Sequence, residues 1–385
     1  MKGNWNYPTA VRFGAGRVVE LADACKSLGM RKPLLVTDPG LARLPMIAEA
    51  IARNAVSGLP TGLFSDIKPN PVLRNVEDGI AAYRAGGHDG VIAFGGGSAL
   101  DAGKAIAFMT GQARPLWDFE DVGDNWTRAD VKGIAPCVAV PTTSGTGAEV
   151  GRVSVIVDES AHAKKLIFHP RMQPPVVIDD PALTVGLPAH ITAATGMDAL
   201  SHCLEAYCAP GFHPAADGIA LEGMRLIAEN LARACAEPGS IEARANMMAA
   251  STMGATAFQK GLGAIHSLTH PLGAIYDAHH GLLNAVLMPY VLVYNRPAIG
   301  EKMTRLARYL GLADQTTDGV IAWVLELRRQ IGIKHTLKEI GIGEEQADEV
   351  ARQAAIDPST PTNPRPLTQS DARRLMADAV AGRLG

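Results

Sequence analysis

The pattern of apolar and polar positions along the chain has two textures. Through residue 185, short apolar runs alternate with longer amphipathic stretches. The runs at 7–13, 33–38, 62–66, 90–94 and 137–141 read as strands, and 41–56, 72–85 and 99–109 as helices. Such alternation implies a parallel sheet covered by helices on both faces. Beyond Pro188 the chain reads as helical almost throughout, with helices expected at 189–209, 214–236, 241–259 and 284–295. A last helix is expected at 371–381, with Thr368 and Asp371 as its capping start. The expected fold is an α/β domain over 1–185 followed by an all-α domain over 186–385.

Composition narrows the function. A length of 385 residues accommodates two domains, and 47% hydrophobic with 19% charged residues describes an ordinary globular protein. A formal net charge of -3 argues against nucleic acid as a partner, and 5% aromatic residues offer few stacking platforms for bases. No apolar run reaches membrane-spanning length, and the start MKGNWNYPTA lacks the basic-then-apolar pattern of a secretory leader. Five scattered cysteines form neither a CxxC motif nor a disulfide framework. The expectation is a reduced, cytoplasmic enzyme that acts on a small molecule, with no nucleic-acid or membrane partner.

Two glycine-rich turns follow predicted strands. Gly95-Gly96-Gly97-Ser98 opens a helix, where backbone amides can approach a phosphate, and Asp101 and Lys104 lie on that helix's first turns. Thr142-Thr143-Ser144-Gly145-Thr146-Gly147 follows the strand at 137–141. Either turn alone could be a plain tight turn; the pair favours a dinucleotide lying along the strand C-termini. Asp38 ends the second strand, where an acid accepts from ribose hydroxyls and repels a 2'-phosphate, which selects NAD over NADP. Gly14-Ala15-Gly16 lacks the third glycine of a dinucleotide fingerprint and reads as a turn.

Histidines supply the second constellation. His266 and His270 are four apart, as are Asp198 and His202, so each pair projects from one helical face. With His279 and His280 nearby, one carboxylate and several imidazoles form a ligand set for iron(II) or zinc. Asp198, His202, His266 and His280 are the preferred ligands, with His279 as the alternative to His280. Lys260 is open to two readings, a partner for a substrate carboxylate or a solvated surface lysine.

GGGSALDAGKAIA, PTTSGTGAEV, TGMDALSHCLEAY and GAIHSLTHPLGAIYDAHHGLLNAVLMP resemble the signatures of the iron-containing (group III) alcohol dehydrogenases. The resemblance covers nearly the whole chain in the same order. It implies a Rossmann-like nucleotide-binding domain and a helical metal-binding and substrate domain, the dehydroquinate synthase-like architecture. It implies that Asp198, His202, His266 and His280 hold the metal. Gly97, Ser98, Asp101, Thr142, Thr143 and Thr146 would bind NAD, joined by Asn70 and Lys164. His270 matches a residue near the substrate with a proton-relay or positioning role, beside Asp198 and His266 in the catalytic group.

APGFHPAADGIAL and AFQKGLGAIHSL resemble the branch acting on 4-hydroxybutyrate and related hydroxy acids. The implied activity is NAD- and metal-dependent interconversion of short primary alcohols, diols or hydroxy acids with their aldehydes, in a homodimer. The metal would be iron(II) by resemblance, with zinc equally acceptable to the ligand set. A hydroxyacid–oxoacid transhydrogenase and a dehydroquinate synthase-like lyase use related machinery and are the competing expectations.

Overall fold

The computed structural model describes residues 9–161 and 163–384. The described chain forms two compact units that divide between Val185 and Gly186. The first contains β1 (Ala10–Phe13), α1 (Leu21–Ser27), β2 (Leu34–Val36), α2 (Pro45–Val56), β3 (Gly62–Phe64), α3 (Leu73–Gly86), β4 (Val91–Gly95) and α4 (Gly97–Met109). It continues with β5 (Cys137–Pro141), β6 (Val153–Asp158), β7 (Ala163–Phe168) and β8 (Val176–Asp179). The second contains α5 (Ala189–Cys208), α6 (Pro214–Ala236), α7 (Ile241–Ala257), α8 (Ala264–Tyr276) and α9 (His280–Tyr309), then α10 (Thr317–Gln330), α11 (Ala347–Ile356) and α12 (Gln369–Ala381).

Six strands form one sheet in the order β1-β8-β5-β4-β2-β3, and every pairing in it is parallel. β2, β4, β5 and β8 are buried along their whole lengths, as expected of strands covered on both faces. The chain leaves β2 for β3 on one side and returns to β4 on the other. The strand order therefore reverses between β2 and β4, and a crevice opens there at the strand C-termini. Helix α4 is buried from Ala99 to Met109 and packs against β4. Its approach needs Gly103, where a Cβ would stand 2.6 Å from the Ala93 Cβ.

Three elements of this unit differ from the sequence expectation. β6 and β7 pair as an antiparallel hairpin, and β8 lies between β1 and β5; none of the three was expected. β8 is only four residues long, confined between Pro175 and Pro181, so its apolar run carries no periodicity to read. The expected helix at 41–56 starts instead at Pro45, after a 3-10 turn at Leu41–Arg43, because proline fits the first helical position. Of the strand expected at 7–13, Ala10–Phe13 is present, while Tyr7 and Pro8 lie outside the described residues. Gly14 and Gly16 form a turn with positive φ, and Asp180 holds it by accepting from the Gly16 and Val18 amides.

In the helical unit α5 runs through the interior, buried from Thr192 to Cys208 except at Thr195, and packs against α6, α7 and α9. Helix α9 is 30 residues long and passes through Pro289 and Pro297, where the sequence pattern predicts an end at 295. Each proline costs one helical hydrogen bond, and burial of most of the helix's first half outweighs that loss. Thr368 caps α12 with Asp371 in a reciprocal capping box, which sets the start at Gln369. Among the described residues no helix is long and apolar enough to cross a membrane.

The close approach of α4 to β4 is testable. Gly103→Ala should lower stability by about 1–3 kcal/mol, because the new methyl meets backbone and Cβ of a central strand. Gly218→Ala in α6, with nothing within 4 Å of the added methyl, should stabilise by up to about 1 kcal/mol. Thermal unfolding of both variants checks this; equal effects would contradict the packing described.

Candidate active site

The α/β unit places its two glycine-rich turns side by side. β4 and β5 are neighbours with Gly95 paired to Pro141, and the Thr142 amide donates to the Gly95 carbonyl at 2.9 Å. Helix α4 starts at Gly97, so the amides of Gly97, Ser98 and Ala99 have no intrahelical acceptor and give the turn positive potential. Gly97 is required by the neighbouring turn, since a Cβ there would stand 2.5 Å from the Thr146 hydroxyl. Gly96, Ser98, Thr143 and Thr146 are half-buried, and Thr142 is buried. The result is a cradle of backbone amides and hydroxyls that fits a phosphate.

The other residues expected at the cofactor divide into two groups. Asp38 follows β2, one of the two strands between which the order reverses, and its Oδ1 accepts from the Gly40 and Leu41 amides at 2.8 and 2.9 Å. It therefore closes its own turn, leaving the second oxygen for other contacts. Asp101 turns toward the hairpin: Oδ1 is 3.1 Å from Lys104 Nζ, and Oδ2 accepts from the Val155 amide at 3.1 Å. Lys104 also donates to the carbonyls of Ala148 and Val153. Lys164 lies on β7 opposite Val157, whose amide donates to the Pro71 carbonyl beside Asn70. Hairpin β6–β7, absent from the sequence reading, carries Lys164 and bonds to Asp101 and to the segment beside Asn70.

The helical unit gathers Asp198, His202, His266 and His280, with one ligand atom from each within 4.8 Å of all the others. Asp198 and His202 come from one face of α5, His266 from the first turn of α8, and His280 from the first residue of α9. Asp198 Oδ1 is 3.7 Å from His202 Nε2 and 3.6 Å from His280 Nε2. Ligands about 2.1 Å from one tetrahedral ion stand about 3.4 Å apart, so the spacing suits such an ion. Helix α9 can reach the group because Gly281 lies against α5, where a Cβ would meet the Ala194 carbonyl at 2.3 Å. His279 is exposed and caps α9 through its Nδ1, so the adjacent histidines take separate roles.

The electrostatics favour a cation in this position. Asp198, His202 and His266 are at most 3% exposed, and among the described residues Asp198 has only histidines as ion-pair partners. One donor, Asn284 Nδ2, is shared by Asp198 Oδ1 at 2.7 Å and by His266 Nε2 and His280 Nε2 at 3.3 Å. A single amide is weak compensation for a buried carboxylate and two imidazole lone pairs. His266 Nδ1 stands 2.6 Å from Glu205 Oε2, and Glu205 Oε1 accepts from the Ile265 amide at 2.7 Å. Burial, with His202 and His270 as neighbours, holds the His266 imidazole well below its ordinary pKa. Its neutral ring donates from Nδ1 and offers Nε2 to a metal, the arrangement in which a carboxylate orients a ligating histidine. Burial likewise pushes the Glu205 carboxyl up to about 7. Both shifts are set first by burial, and a donor set of one carboxylate and three imidazoles fits a divalent ion.

Two residues around this group were not anticipated. Glu205 is one turn beyond His202 on the same face of α5, a signal present in the sequence but shared with many helical acids. Asp357 carries no local signal: its Oδ2 lies 2.8 Å from His270 Nδ1, 87 residues away in sequence. His270 itself stacks on His280, with ring centroids 5.6 Å apart, and is outside the four-ligand group. Lys260 is not the solvated surface lysine of one expectation. It is buried, 2.5 Å from Asp217 Oδ1 and 3.2 Å from the Tyr207 carbonyl. The last carbonyls of α5 lack intrahelical donors, and Lys260 and Lys302 supply them.

Comparison with known proteins accords with this geometry. Residues 8–181 match the family described as iron-containing alcohol dehydrogenase, and 192–380 match its C-terminal domain family. The chain is 39% identical to a 4-hydroxybutyrate dehydrogenase from Cupriavidus necator, over 97% of this chain and 99% of that one. It is 34% identical to an NAD-dependent methanol dehydrogenase from Bacillus methanolicus, over 98% and 100% of the two chains. The crystal structure of a 1,3-propanediol oxidoreductase superposes with a TM-score of 0.93 at 33% identity, covering 98% of this chain and 100% of that one. With both units matched and the buried carboxylate–imidazole group in place, the chain belongs to the iron-containing alcohol dehydrogenase family and is an alcohol oxidoreductase.

Proposed function

We propose that this enzyme interconverts short primary alcohols, diols or hydroxy acids with their aldehydes, using NAD and one divalent metal ion, with 4-hydroxybutyrate the first substrate to test. The observation that carries the reading is the convergence of Asp198, His202, His266 and His280 on one point, with Glu205 behind His266. The 4-hydroxybutyrate preference is supported by the relative at 39% identity, and NAD by the methanol dehydrogenase relative. Three nitrogens and one carboxylate oxygen accept iron(II) or zinc equally, so metal supply decides between them. We further propose a cytoplasmic homodimer.

The chain's own groups have distinct tasks in this reading. Asp198, His202, His266 and His280 would hold the metal, and the cradle of Gly95, Gly96, Gly97, Ser98, Thr142, Thr143 and Thr146 would hold the NAD pyrophosphate. When bound, the metal supplies Lewis acidity toward the alcohol oxygen and NAD accepts hydride. Asp38 would accept from the adenosine ribose, while Asp101 acts by holding the hairpin that carries Lys164. Asn70 stands on the segment that the same hairpin holds. His270, at the edge of the metal group and partly exposed, is placed to exchange a proton with the substrate hydroxyl or with solvent. A transhydrogenase would use the same residues but retain its cofactor, and a lyase would yield no net NADH.

Three outcomes test this. Chelator-stripped protein should form no NADH from NAD and 4-hydroxybutyrate, ethanol, butanol or 1,2-propanediol, and iron(II) or zinc should restore turnover. Exchange of hydride between two acids without free NADH would instead place it among the transhydrogenases. His202→Ala and His266→Ala should each lose bound metal by elemental analysis and at least about 100-fold in kcat/KM, with an unchanged far-UV circular dichroism spectrum. Glu205→Gln should retain all four ligands yet weaken metal affinity by about 10–100-fold, measured by competition with a chromophoric chelator; an unchanged affinity would remove Glu205 from the metal centre.

A further inference from the structure

The contact between His270 and Asp357 belongs to a larger arrangement. Asp357 opens the loop after α11, and its other oxygen accepts from the Ser359 amide at 2.8 Å. The two side chains are 12% and 8% exposed, so the contact is shielded from water on most sides. Burial opposes ionisation of Asp357, but the His270 ring and Ser359 outweigh it and hold the carboxyl below its ordinary pKa. An ionised carboxylate can only accept, so His270 donates to it from Nδ1.

The same loop touches α8 twice more. Thr360 Oγ1 donates to Ser267 Oγ at 2.7 Å, and Asn363 Oδ1 accepts from the Ala264 amide at 3.1 Å. The pairs 357–270, 360–267 and 363–264 advance by three along the loop and retreat by three along the helix. Residues three apart share a helical face, so the loop lies antiparallel along one face of α8. That helix carries both His266 and His270, and a small rotation of it would move both rings.

We propose that Asp357–Asn363 is a strap that fixes the rotation of the metal-bearing helix, and that Asp357 is its functional contact, a positioning residue that sets the orientation and tautomer of His270. This rests on the dehydrogenase reading given above. Steady-state alcohol oxidation should be measured for wild type, Asp357→Ala, His270→Ala and the double variant, each with metal content determined. Asp357→Ala should lower kcat by about 10–100-fold with metal retained, and the double variant should be no slower than His270→Ala alone. Multiplying losses, wild-type kcat in Asp357→Ala, or a loss that tracks departed metal would overturn the proposal. If Asp357→Ala does not fold, Asp357→Asn carries the same cycle. Nitrogen-15 NMR of histidine-labelled, zinc-loaded protein provides a readout independent of turnover. The His270 proton should sit on Nδ1 in wild type and redistribute in the Asp357 variant; a tautomer unaffected by Asp357 would overturn the proposal. A protein that oxidises no alcohol but shows this shift would refute the dehydrogenase reading and leave the positioning role standing.

Discussion

A carboxylate buried among three imidazoles is the constraint on which the helical unit depends. Asp198 is 3% exposed, and among the described residues its strong hydrogen-bond donor is an asparagine amide. Leaving a buried charge without a partner costs about 3–5 kcal/mol, and a cation held by this group would supply one. Much of the surrounding sequence follows from that requirement. Helix α5 carries Asp198 and His202 toward His266 and His280; Gly281 lets α9 approach it; Glu205 Oε2 lies 2.6 Å from His266 Nδ1. The apolar shell that raises the cost of an empty site also strengthens any charge interaction made within it.

The α/β unit solves a different problem with the opposite chemistry. Two adjoining turns there present amides and hydroxyls, with Gly97 packed against Thr146, and an anionic cofactor would be met by these neutral donors. Its charged residues mostly serve the scaffold: Asp101 and Lys104 pair with each other and pin the β6–β7 hairpin. Asp180 likewise secures the turn at Gly14 and Gly16 through the Gly16 and Val18 amides. In the proposed function one unit would offer neutral donors to phosphate, and the other lone pairs to a metal.

The sequence made legible whatever depends on local spacing. Short apolar runs locate every parallel strand but β8, period-3.6 patterns locate most helices, and i,i+4 pairs expose Asp198 with His202 before any tertiary information. Long-range compensation stayed hidden. Asp357 finds His270 across 87 residues, and no local pattern marks that encounter. Helix α9 passes two prolines because tertiary burial outweighs the lost hydrogen bonds, whereas local propensity ends it early. Strand β8 is too short to show a period, and Lys260 disappears into the interior because α5 ends there with carbonyls to satisfy. His279 and His280 are chemically equivalent in sequence and separate only once α9 begins between them.

X-ray absorption at the iron edge of iron(II)-loaded protein tests the central claim most directly, since it counts the atoms around the ion. The account predicts a first shell of three imidazole nitrogens with at least one carboxylate oxygen, all at about 2.0–2.2 Å, and one imidazole fewer in His280→Ala. A shell without imidazole scattering, or one unchanged by His280→Ala, would contradict it.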